Sequence, residues 1–130
     1  MRLLLTPVEL TLPADGRLVR LARLVATGVA AACGLPLESV EDFRIVVDEV
    51  CSTLVEASDS GTIGLSFWSD QGTLMVEGST SIGPQRELDP ARLALSHGLL
   101  DALADSHQLV HHGDRMTFVV ATTLRANGVG

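Results

Sequence analysis

The chain has 130 residues with 46% hydrophobic and 19% charged positions, a composition that fits one globular domain over residues 1–130, and it contains no repeat or low-complexity run. Nine Arg and no Lys stand against sixteen acidic residues for a net charge of -7, and only four side chains are aromatic, so the basic, stacking surface that direct nucleic-acid binding requires is missing. An acidic surface of this kind suits solubility or a basic protein partner.

Taken in chain order, Val8 to Leu12 is short and alternates apolar with polar residues, which predicts a strand ending at Pro13. Asp15 is placed to cap a helix running to about Cys33, with Gly34 as its stop, and Leu18, Leu21, Val25 and Val29 form an apolar stripe along it. The segment from Arg17 to Gly34 mimics an exported lipoprotein signal. Its apolar run is broken at Thr27 and Gly28, however, and acidic residues precede it, so a cytoplasmic chain is expected. No run is long enough to span a bilayer as a helix. The Arg17, Arg20 and Arg23 face of this helix is expected to be solvated, and Cys33 and Cys51 to be reduced, packed thiols.

Pro36 and the Ser39-x-x-Asp42 pattern open a second helix that ends near Ala57. Val40, Phe43, Val47, Val50, Cys51 and Leu54 share one face of it. Glu49 and Thr53, four apart on its flank, lie where side chains line the edge of a core. Thr62 to Trp68 and Thr73 to Glu77 read as a hairpin around Ser69-Asp70-Gln71-Gly72, and Gly78 to Leu88 as a loop rich in small residues. Asp89-Pro90 supplies the N-cap and first residue of a third helix to about Ala104, and His107 to His112 with Arg115 to Thr123 form a last hairpin. His97 and Asp101, four apart, are expected to be an ordinary helix pair, and His111 and His112 surface residues. The order predicts an α+β, two-layer sandwich: a mostly antiparallel or mixed sheet of about five strands with three helices on one face.

The element order, the V-D-E-V-C-S run at Val47 to Ser52, the glycine-bearing loop after the third strand and the H-G-L-L-D-A-L-A-D run at His97 to Asp105 together resemble bacterial anti-sigma factors of the serine-protein kinase type. These carry the histidine-kinase-like (GHKL) ATPase fold. The resemblance covers about Glu9 to Arg125 and implies ATP and Mg²⁺ as cofactors, a sigma factor and an anti-anti-sigma factor as partners, and a homodimer. It implies that Glu49 is the catalytic base and that Thr53 occupies the position of the Mg²⁺-holding Asn. The family's His one turn on falls at Ala57. The adenine-binding Asp-x-Gly-x-Gly aligns with Gly78 to Ile82, which holds Gly78 and Thr80 but no Asp, and Glu77 should face the other way by strand alternation. The phosphate-cradling Gly-x-Gly aligns with Ala94 and Ser96, near Gly98, and the last Gly-Thr with Met116 and Thr117. Glu49, Thr53, Gly78, Thr80, Ser96, Gly98 and Thr117 therefore outline a degenerate ATP site, with Thr53 a poor Mg²⁺ ligand because a neutral hydroxyl is shorter and weaker than an amide carbonyl. Two functions compete: a sigma-binding regulator whose ATP binding is weakened or lost, or an active kinase that phosphorylates the anti-anti-sigma factor.

Overall fold

The structure is a computed structural model and describes residues 6–83 and 88–123. Its strands are β1 (Val8–Pro13), β2 (Thr62–Asp70), β3 (Thr73–Ser81), β4 (Ser106–His112) and β5 (Arg115–Thr123), and its helices α1 (Val19–Ala32), α2 (Leu37–Ala57) and α3 (Pro90–Leu103). The strands form one sheet in the order β1-β2-β3-β5-β4 with every neighbouring pair antiparallel. The α+β arrangement expected from the sequence is thus the one observed.

Alternation sets the inner face of the sheet. Leu12, Ile63, Leu65, Phe67, Leu74, Val76, Met116, Phe118 and Val120 are all buried, while Glu9, Ser66, Glu77 and Val119 run across the opposite face in one register row. The α2 stripe read from the sequence packs onto this floor: Val40, Phe43, Val47, Val50, Cys51 and Leu54 are buried, joined by Val46, Thr53 and Ala57. Phe43 meets Phe67 edge-on with ring centres 6.1 Å apart. Gly78 makes this approach feasible, because a Cβ there would lie 2.7 Å from Leu54 Cδ1 and 2.8 Å from Val50 Cγ1. The β2–β3 turn is built on Gln71 and Gly72, both with positive φ, a geometry that matches the twist of a hairpin.

Three expectations need correction. Asp15 does cap, but its carboxylate accepts from the Arg17 amide at the start of a short 3₁₀ turn, Gly16–Leu18, and α1 begins only at Val19. The apolar stripe of α1 is also rotated. Val19, Ala22, Ala26, Val29 and Ala30 face the core, whereas Leu21 is exposed and Leu24 is 68% exposed. Small residues win this face because they let α1 lie close against α2, and a stripe counted on side-chain size alone misses that. Finally, the segment from Gly78 to Ser81 continues β3 rather than opening a loop, pairing with Leu65, Gly64 and the strand from Arg115 to Phe118. Residues 84–87 of that expected loop lie outside the described residues.

Cys33 and Cys51 are both buried and free. Burial pushes the Cys33 thiol up, and drives that of Cys51 to about 12, with the nearby Asp48 carboxylate adding to the effect. Arg23 reaches from α1 to Asp48 of α2 at 2.8 Å. Arg17 is spent on Asp15 at 2.7 Å. The guanidinium beside Asp15 holds that exposed carboxyl down at about 2. Two of the three arginines expected to be simply solvated are therefore paired.

Candidate functional site

Glu49, Thr53 and Glu56 sit at i, i+4 and i+7 on α2, so their side chains line one edge of the helix over two turns. That edge faces the start of α3. Asp89 caps α3 by accepting from the Ala91 amide at 3.0 Å, and Pro90 provides the fixed φ of its first residue, so Arg92 is held in the first turn. A cation there opposes the positive end of the helix dipole. Its carboxylate partners offset the conflict: Arg92 Nη1 donates to Glu49 Oε2 at 2.6 Å, and Arg92 Nε lies 3.3 Å from Glu56 Oε2. The bond to Glu49, opposed by partial burial, raises the Arg92 guanidinium above its usual range. Glu49 Oε2 also accepts from the Thr53 hydroxyl at 3.3 Å. Thr53 is fully buried, so that hydroxyl points into the helix flank rather than into an open cleft.

Glu49 and Thr53 are thus brought together, with Arg92 as the third member. The other sequence-derived positions disperse. Gly78 lies under Leu54 and Val50 and serves packing. Thr80 is buried, its hydroxyl donating to the Thr62 carbonyl at 2.7 Å and lying 2.9 Å from Ser58 Oγ, which ties the end of β3 to the end of α2. Ser96 is buried on the inner side of α3, its Oγ without a hydrogen-bond partner among the described residues, and Gly98 is exposed in mid-helix. Thr117 belongs to the outer face of the sheet, since Met116 and Phe118 on either side of it point inward.

Asp101 turns to a different partner from the one expected. Its carboxylate meets His107 Nε2 of β4 at 2.5 Å, and His107 stacks on His97 with ring centres 5.2 Å apart. His107 and Arg92 are the residues that reading the sequence missed. For Arg92 a cue existed, since a second acidic residue seven positions after Glu49 marks an edge that calls for a cation.

One turn beyond Thr53 a cavity of about 440 Å³ opens at Ala57, between the end of α2, the start of α3 and the β4–β5 hairpin. Ala57, Ile82 and Met116, each from a stretch aligned with a different nucleotide motif, are buried in its floor. Among the described residues no group of three or more His, Cys, Asp and Glu side chains is arranged to hold a metal ion.

A helix-covered antiparallel sheet with a carboxylate at the α2–α3 junction is an arrangement that comparison with known proteins relates to others. No family model matches the chain. A serine-protein kinase RsbW from Halalkalibacterium halodurans is 33% identical over 92 residues, covering 68% of this chain and 55% of that protein. The serine-protein kinase RsbW of Bacillus cereus strain AH187 is 26% identical over 123 residues, covering 80% and 77%. The chain therefore spans about half the length of the first of these relatives. Among solved structures, one of the RsbU and RsbW domains of Rv1364c from Mycobacterium tuberculosis superposes with a TM-score of 0.70 at 15% identity, over 92% of this chain and 32% of that one. A chain of the SiaB–SiaC complex from Pseudomonas aeruginosa gives 0.62 at 11% identity, over 88% of each. The chain is a homologue of the RsbW serine-protein kinases and shares the fold of these neighbours. Among the described residues no helix is long and apolar enough to cross a membrane.

Proposed function

We propose that the protein is an anti-sigma regulatory factor that binds a sigma factor and an anti-anti-sigma partner as a module whose nucleotide chemistry has been weakened or lost. The supporting observation is the 2.6 Å contact between Arg92 and Glu49. A general base must offer an oxygen to the hydroxyl it deprotonates. In this chain one of the two Glu49 oxygens, Oε2, already receives both the Arg92 guanidinium and the Thr53 hydroxyl. Mg²⁺ asks for near-octahedral oxygen ligands, and the buried Thr53 hydroxyl, directed at Glu49, does not fit that demand. With the apolar Ala57, Ile82 and Met116 at aligned motif positions in the cavity floor, the residues do not suit ATP and Mg²⁺, and binding of the protein partners carries the function.

The relatives named serine-protein kinase favour a second reading, in which Arg92 swings away and Glu49 acts on a partner's serine. The two are separated by measuring the affinity of the purified chain for a sigma factor encoded in the same genome, with and without ATP and Mg²⁺, beside a labelled-phosphate transfer assay on the anti-anti-sigma partner. Sigma binding that is indifferent to nucleotide, with no transfer, is expected. Transfer that disappears in Glu49→Gln would establish the kinase instead.

A further inference from the structure

A second cluster shares none of the residues of the Glu49–Arg92 contact: His97 of α3, His107 of β4, and Asp101 one turn after His97. His107 pairs in register with the buried Val120, so its imidazole lies on the inner face of the sheet, and its side chain is only 13% exposed. His97 is half-buried and tilts against Phe118 with ring centres 6.2 Å apart. The two Nδ1 atoms are separated by 3.4 Å, long for a hydrogen bond. The ring centres are farther apart, at 5.2 Å with planes 24° from parallel, so both nitrogens lie on the facing edges of the rings. Asp101 fixes the chemistry of one of them. A carboxylate only accepts, so His107 Nε2 donates to Asp101 Oδ1 at 2.5 Å, and the neutral imidazole keeps a bare lone pair on Nδ1.

We propose that His97 and His107 chelate one zinc ion through their Nδ1 atoms, with Asp101 orienting His107 from behind. Two Zn–N bonds of about 2.0–2.1 Å at the tetrahedral angle hold their nitrogens about 3.4 Å apart, which is the separation of this pair. A square-planar ion such as Cu²⁺ asks for about 2.9 Å, so the span favours zinc. A carboxylate on the second ring nitrogen is the arrangement that fixes a ligating imidazole and raises its basicity. His97 takes part with its proton on Nε2. Asp101 lies on the far side of the His107 ring, so the chain provides two donors and exchangeable water fills the remaining positions. The ion links α3 directly to β4, in the part of the fold where these two elements bury few side chains.

The test is calorimetric titration of the full chain, first stripped with EDTA, with ZnCl₂ near neutral pH. One ion per chain at micromolar affinity is expected, with the ¹⁵N signals of the His97 and His107 Nδ1 atoms shifting on binding and those of His111 and His112 unmoved. His97→Gln should abolish the binding and His111→Gln leave it intact. Asp101→Asn should weaken it about tenfold, the usual effect of losing a carboxylate behind a ligating imidazole. Thermal unfolding in EDTA shows whether each variant folds, and if His97→Gln does not, the ¹⁵N shifts of the unaltered chain decide. Zinc uptake that fails to saturate, binding that survives His97→Gln in a folded chain, or ¹⁵N shifts confined to His111 and His112 would each overturn the proposal. Undiminished binding in Asp101→Asn would overturn the role given to that carboxylate. Nucleotide plays no part in this titration, so its outcome is separate from the nucleotide reading.

Discussion

The two ends of the helix layer are built differently. Over the β1–β2–β3 half, α2 buries nine of its 21 residues and α1 five of its 14, the latter through small side chains that bring the helices close. Over the β5–β4 half, α3 buries only Ser96 and Leu100 out of 14 residues, Leu95 is 74% exposed, and β4 buries none. Apolar burial supplies most of the folding free energy, so the first half is the scaffold and the second is held by a few polar links and an incompletely filled junction. The Arg92 clamp and the cavity at Ala57 both lie at that junction. The lesson is that the region free to change chemistry is the one the core does not depend on.

That contrast can be broken by substitution. Leu54→Ala, in the fully buried half, should cost about 2–5 kcal/mol in denaturant unfolding through lost burial and the cavity left behind. Leu95→Ala on α3 should change stability by less than about 0.5 kcal/mol. Equal effects would erase the distinction between the halves.

Alkaline pH gives the next largest effect. The chain has no Lys and no Tyr, so between pH 9 and the arginine range the side chains left to titrate are the two cysteines. Cys51 is an acid whose folded value is raised to about 12 from an ordinary value of 9.0. The unfolded chain therefore releases its proton first, and stability is fully present below pH 9 and lost as pH rises toward about 12. The Cys51 contribution to the slope approaches about 1.4 kcal/mol per pH unit. Cys51→Ala should flatten the denaturation midpoint over this window, leaving only the smaller Cys33 contribution.

The glycines sharpen the contrast by sign. Gly78→Ala places a Cβ against Leu54 and Val50 and should destabilise by about 1–3 kcal/mol. Gly98→Ala, in open space on exposed α3, should stabilise by about 0.5–1 kcal/mol, because alanine loses less backbone freedom on folding. Smaller again is the clamp. A double-mutant cycle of Arg92→Ala with Glu49→Gln should show a coupling of about 0.5–1.5 kcal/mol, modest because both groups keep some solvent contact.

The scaffold half was the more legible in the sequence for the same physical reason. Its stripe on α2 repeats at helical spacing and its strands alternate, so local pattern and burial coincide from Val40 to Leu54 and from Ile63 to Phe67. Where small residues set the contact, as at Ala22 and Ala26, hydrophobic size pointed to the wrong face of α1. The junction was legible only in part. Glu49 and Thr53 are neighbours by local geometry, but Arg92 is 43 residues from Glu49 and His107 pairs across a helix–strand turn, and no periodicity announces such contacts. Thr117 and Thr80 illustrate a further limit, since aligning a motif by strand ends fixes a position along the chain without fixing what its side chain is already bonded to.

We propose that the Arg92-held carboxylate and its apolar surroundings leave no working nucleotide site. Calorimetric titration of the chain with ATP and Mg²⁺ tests it most directly. A flat titration to millimolar nucleotide is the expected result, and micromolar binding abolished by Glu49→Ala would contradict it.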